Sequence, residues 1–305
     1  MLLHNYSSKK ILGIYFVINS RKDVLYKLRE EICMTTIYKK RFINRYCIVS
    51  IFVLFILLIL SYIVDSEMIK VLLADYSDGL TDGQSEYQVK KVIIDSELYW
   101  EYWIKCGIWY NKEILPIYAI FSALPFFYEI RTIFKLGANR FTNRRVELKK
   151  AIISYGIMGG GCISVGLFLY FLIGCYFCKT QLNTLGGFEA IFEYNLYHNH
   201  PFLFLCFMVF TIYFLFGMLF AIMTCGSVLC FENKITAILF PMTVYIVGSY
   251  IGNGFDIRIL QVSSCVTVFN TEHTTLECFL PLLSLLLINI VLVGLGVKKN
   301  EKIVL

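Results

Sequence analysis

The stretch EYNLYHNH, residues 193 to 200, brings together Glu193, His198 and His200, residue types that ligate metals or move protons. Two histidines two positions apart would share a metal only with further ligands and a suitable backbone. The plainer reading of the same residues is a polar loop at a membrane surface. Eleven cysteines are scattered along the chain. Cys162, Cys206, Cys225 and Cys230 sit in apolar runs, where a thiol acts as a small apolar group. Cys106, Cys175, Cys178, Cys265 and Cys278 fall in or near loops, where a disulfide is chemically open, but the C-x-x-C of Cys175 and Cys178 has no second copy to complete a zinc site. The chain has no GxxxxGK[ST], HExxH or GxSxG, and so no phosphate cradle, zinc-hydrolase or serine-hydrolase motif. No catalytic, cofactor-binding or metal residue is assigned. The remaining concentration of chemistry is charge: RTIFKLGANRFTNRRVELKK, residues 131 to 150, holds seven basic residues and one acidic one between two apolar runs.

Composition says what must hold that loop. Hydrophobic residues make up 58% of the chain and charged residues 16%, and the mean hydropathy of +0.67 belongs to a membrane protein. Runs near 20 residues match about 30 Å of hydrocarbon at about 1.5 Å per helical residue. Six such runs are expected to cross: Cys47 to Val64, roughly Ile114 to Ile130 with Pro116 and Pro125, Ala151 to about Phe177, Pro201 to Phe231, Ile235 to about Ile251 with Pro241, and roughly Phe279 to Val297. The fourth is longer than a perpendicular span needs, so it must tilt, bend near Gly217 or end at the interface. These runs lack the period-2 alternation of barrel strands, so the expected fold is an all-α membrane protein, a six-transmembrane helical bundle spanning 47–305.

Charge orients the bundle. The segment before residue 47, the loop 131–150, the FENK turn at 231–234 and the tail after 297 hold 21 of the 28 Lys and Arg. With Glu129 placed on the same side, that side carries a net +14 and the other a net −8. Basic loops stay cytoplasmic, so both termini are expected in the cytoplasm and the basic loop with them, in a multi-pass protein of the plasma membrane. Residues 1–46 then form a cytoplasmic segment in which Val24, Leu25, Leu28 and Ile32 share one face of an amphipathic interfacial helix. The segment 65–113 becomes an extracellular loop with turns at SDG and TDG and a strand expected at Tyr87 to Ile94. Its Trp100, Trp103 and Trp109 are expected as a headgroup-level aromatic belt. Ionisable groups are sparse within the spans, which argues against a proton relay or voltage sensor. In the basic loop itself, the spacing of Ile133, Phe134 and Leu136 allows a short surface helix ending near Gly137.

Residues 114 to 161 resemble permease subunits of ABC transporters, the type-2 exporter class common in Gram-positive bacteria. The resemblance rests on a proline-containing span ending in Tyr128 and Glu129, a basic loop with Arg140, Lys150 about ten positions on, and Gly159 with Gly160 opening the next span. Arg131, Thr132 and Ile133 stand where that family often carries a glycine. The resemblance implies that the loop docks on a separate ABC ATPase subunit, which binds the ATP. Glu129, Arg131, Phe134, Arg140, Arg144, Arg145 and Lys150 would form the coupling region, with Glu129 and Lys150 paired and the arginines facing acidic groups or lipid phosphates. It also implies a second permease chain, identical or not, contact with membrane lipid, close helix packing at Gly159 and Gly160, and a peptide, lipid-like or antimicrobial cargo. No nucleic-acid partner and no cofactor in this chain are expected. A membrane-embedded enzyme using Glu193, His198 and His200, or a sensor or assembly protein that holds a cytoplasmic partner, are the alternatives from other classes.

Overall fold

The computed structural model describes residues 45–66, 68–75, 85–98, 100–104, 115–129, 142–178, 200–231, 233–263 and 275–303. All of them belong to one compact unit, Arg45–Leu305. The expected N-terminal interfacial helix lies outside the described residues. Among these residues every regular element is helical: α1 (Arg45–Asp65), α2 (Met68–Leu73), α3 (Glu86–Glu97), α4 (Trp100–Ile104), α5 (Leu115–Ala123), α6 (Thr142–Phe177), α7 (Pro201–Met208), α8 (Phe214–Cys230), α9 (Lys234–Gly254) and α10 (Thr275–Ile303). A 3-10 stretch, Leu124–Glu129, continues α5, and a π-helical turn, Val209–Tyr213, joins α7 to α8.

Among the described residues, five helical stretches are long and apolar enough to cross a membrane: Arg45–Asp65, Leu148–Phe177, Phe202–Cys230, Lys234–Gly254 and Phe279–Lys299. The sixth expected span is shorter, an apolar helix at Leu115–Phe127. Its nine α-helical and six 3-10 residues cover about 25 Å at about 1.5 and 2.0 Å per residue. Pro125 explains the change of helix type, because it cannot supply the N–H that an α-helix would direct to the carbonyl of Phe121. Ser50 Oγ of α1 donates to that carbonyl instead, at 2.8 Å. Pro241 inside α9 likewise cannot bond the carbonyl of Ala237, and Ser227 Oγ of α8 donates to it at 2.6 Å. Where no water reaches the backbone, a neighbouring hydroxyl is what makes a mid-helix proline tolerable.

Glycine sets how closely the helices approach. A Cβ on Gly159 of α6 would lie 2.5 Å from the carbonyl oxygen of Ser122 and 2.6 Å from Ala221 Cβ. One on Gly160 would meet the Phe214 carbonyl oxygen at 2.6 Å. The extra residue of the π turn leaves α7 and α8 continuous, and Ser164 Oγ of α6 donates to the Val209 carbonyl there at 2.9 Å. On the far side of α8, Asn289 Nδ2 of α10 donates to the Leu219 carbonyl at 2.9 Å, and Lys299 Nζ donates to the Cys230 carbonyl at 2.7 Å.

These contacts give the helices their directions. Leu54 of α1 abuts Gly166 of α6, and Cys162 Sγ lies near the Cys47 carbonyl, so α1 and α6 run parallel. Ser122 faces Gly159 while Phe126 stacks on Tyr155 at 4.9 Å, so α5 runs antiparallel to both. Gly156 meets Ile222 whereas Gly160 meets Phe214, which makes α8 antiparallel to α6. Gly226 meets Leu292 and Gly296 meets Leu229, so α10 is parallel to α8; Ser227 bonds Ala237 while Phe216 and Phe220 meet Tyr245, so α9 is antiparallel to α8.

Two expectations for residues 65–113 are corrected. The strand expected at Tyr87 to Ile94 is helix α3, because Ser85 caps it: Ser85 Oγ accepts from the Gln88 N–H, the Gln88 side chain accepts from the Ser85 N–H, and Glu86 pairs with Lys90 at 2.6 Å. Local capping outweighs the β-branched content of the run. Trp100 and Trp103 do not form an exposed belt; both are buried. Trp103 stacks on Tyr170 at 4.7 Å between ring centroids, donates its Nε1–H to the Tyr170 carbonyl at 3.1 Å, and its own carbonyl accepts from Tyr170 OH at 2.7 Å. A Cβ at Gly174 would lie 2.5 Å from its ring, so α6 leaves a slot for the indole. Trp109 lies outside the described residues.

Candidate functional site

The basic loop is flanked by two well-placed ends. Glu129 closes the 3-10 stretch after α5, and its Oε2 accepts a hydrogen bond from Tyr155 OH of α6. Phe126, one 3-10 turn earlier, stacks on the same tyrosine. The exit of α5 and the early turns of α6 are thereby clamped together around Tyr155. Lys150 is exposed on α6, and the Tyr155 phenol is one hydrogen-bond donor to the Glu129 carboxylate. Arg144 and Arg145 lie on the first turns of α6, which begins at Thr142, nine residues before the apolar run that announced it. Arg131, Phe134 and Arg140, and the surface helix expected near them, lie outside the described residues. Gly159 and Gly160, about one turn beyond Tyr155, face α5 and α8 as described above.

The polar group at 193–200 is described only at His200. That residue is exposed and precedes α7 without a capping bond from its side chain. Glu193 and His198 lie outside the described residues. Among the described residues no three His, Cys, Asp or Glu side chains gather as metal ligands would; Cys175 is exposed near the end of α6 and Cys178 is half-buried just after it.

A second feature has no counterpart in any sequence motif. A cleft of about 750 Å³ runs along α9, lined by Met242, Tyr245, Ile246, Ser249, Tyr250 and Asn253 of that helix, with Pro116 of α5 and Ser263 on the other sides. Met242, Ile246, Ser249 and Asn253 recur every three or four positions, so one helical stripe forms the floor. Among the described residues that line it, none carries a charge. Ser249 Oγ is shielded from solvent and has no hydrogen-bond partner.

Tyr155, Ser50, Ser227 and Ser249 were invisible as functional candidates because none belongs to a motif. The prolines identify the carbonyls of Phe121 and Ala237 as deprived of their usual partners, yet nothing in the sequence names the serines that answer them. The chain matches no family model, no curated protein and no solved structure.

Proposed function

We propose that this chain is the permease subunit of an ATP-driven ABC exporter in the plasma membrane, coupled through the basic loop 131–150 to a separate ATPase and working beside a second permease chain. The observation that carries the reading is the clamp of Glu129 and Phe126 on Tyr155. A loop tethered at both ends to buried helices passes a push from a soluble partner into the bundle, whereas a loop that serves topology alone needs no such tether.

The helix directions support six crossings with both termini cytoplasmic. Because α1 and α6 run parallel, the chain between them must return, and α5 is antiparallel to both. On this reading the start of α1, Glu129, the start of α6, the turn between α8 and α9, and Lys299 share the cytoplasmic end, where the basic residues are concentrated. The 36 residues of α6 span about 54 Å, beyond the roughly 30 Å of hydrocarbon. Its basic first turns then stand clear of the bilayer, within reach of a cytoplasmic protein.

Co-purification from native membrane tests the proposal. An ATPase is expected with the wild-type chain and is lost when Arg140, Arg144 and Arg145 are all changed to Glu. Tyr155→Phe keeps the fold and the bound ATPase but uncouples ATP hydrolysis from transport. A well-folded wild-type chain that brings down no ATPase removes the energy source and with it the exporter reading.

A further inference from the structure

We propose that the cleft along α9 binds an amphiphile with an uncharged, hydrogen-bonding head and an apolar tail. The stripe that floors it changes character along its length: Met242 and Ile246 are apolar, while Ser249 and Asn253 offer a hydroxyl and an amide, and Ser263 also lines the cleft. A tail fits the first part and a head carrying hydroxyls or amides fits the second. The cleft's volume lies within the range of about 300–1,000 Å³ usual for small-molecule sites. A charged head would find no compensating charge on the described lining residues, and an unpaired charge in such surroundings is strongly disfavoured.

Ser249 is the second, independent observation. Hydroxyls in membrane helices ordinarily fold back on the carbonyl four residues earlier, as Thr211 does on Phe207, Thr224 on Phe220 and Thr243 on Leu239. Ser249 Oγ makes no such bond and is left without a partner. Its staggered χ1 wells let it turn toward the cleft it lines, and a buried hydroxyl with an open valence gains most from a ligand that completes it. The cargo role of such a ligand rests on the exporter reading, whereas its binding does not.

The test uses the full chain in lipid nanodiscs without any ATPase, and a photoactivatable monoacylglycerol as probe. Crosslinks are expected in the peptide containing residues 242–254, competed by unlabelled monoacylglycerol and not by the anionic fatty acid of equal chain length. Ile246→Trp fills the apolar part and abolishes the labelling. Ser249→Ala weakens binding about tenfold, equivalent to about one hydrogen bond, while raising the melting temperature of the unliganded protein, because the orphan hydroxyl is gone. Labelling spread evenly over lipid-facing helices, equal competition by the fatty acid, or a lowered melting temperature in Ser249→Ala would each overturn the proposal. Loss of ATPase co-purification with labelling intact would remove only the cargo role.

Discussion

Two apolar helices of nearly equal mean hydropathy have opposite fates in this bundle. In the most apolar 18 residues of Leu148–Phe177 in α6, at 1.9, 61% are buried, whereas in those of Lys234–Gly254, which is α9, at 1.6, 22% are buried. Apolarity therefore does not choose which helix goes inside. Lipid tails are as apolar as leucine, so a side chain gains little by exchanging one for the other, and close approach with backbone hydrogen bonding decides instead. In α6 the glycines at 156, 159, 160, 166 and 174 each face a neighbour closer than a Cβ permits. In α9 the comparable glycine, Gly252, faces residues 260 and 261, a few positions on in the same chain, rather than another span. The result is a central helix and a peripheral one, with the cleft beside the second.

The largest test of this contrast is Trp103→Ala, which empties the slot at Gly174 and removes the indole with its bond to the Tyr170 carbonyl and its stacking on the Tyr170 ring. A loss of about 3–5 kcal/mol is expected, read as a melting temperature in detergent and as loss of the monodisperse peak in gel filtration. Gly159→Ala follows at about 2–3 kcal/mol, since even one methyl group must displace the backbone of Ser122. Its control is Gly161→Ala, where no neighbour lies within 4 Å of the added carbon and stability should hold. Equal behaviour of the two glycines would end the close-approach argument.

Ser227→Ala should cost about 1–2 kcal/mol by stranding the Ala237 carbonyl. The same change in a Pro241→Ala background should cost much less, because the restored N–H takes the carbonyl back; a double-mutant cycle in thermal unfolding reads the difference. The smallest effect belongs to Val247→Ala on the exposed face of α9, within about 0.5 kcal/mol of wild type. A loss as large as that of Gly159→Ala would mean that α9 packs against protein in the membrane, and would relocate the comparison to an assembly of chains.

Much of the bundle was legible because charge-free runs are hard to mistake. The run Cys47 to Val64 lies inside α1, and the run Pro201 to Phe231 covers α7 and α8. Less legible was where a helix continues past its apolar portion: hydropathy starts the third span at Ala151, while the helix starts at Thr142, since backbone bonding does not stop at the edge of the hydrocarbon. Residues 87–94 misled for a related reason, as β-branched content is a weak preference and the Ser85 cap a specific bond. In the candidate site, the end of a span points to Glu129 and opposite charge suggests Lys150 as its partner, but the hydrogen bond from Tyr155 follows from the rotation of α6 about its axis, which no stretch of sequence displays.

The sequence by itself determined that the chain is helical and lipid-embedded, which stretches are apolar enough to cross, and which loops carry the positive charge, because each of these follows from local composition and length. Only the tertiary structure decided which spans are central, which serines complete the carbonyls that prolines leave open, that Trp103 is buried against Tyr170, and that an uncharged cleft with an unpaired hydroxyl lies along α9. Those outcomes depend on how distant helices rotate and approach one another, and close approach is set by pairs of surfaces that no single stretch of residues contains.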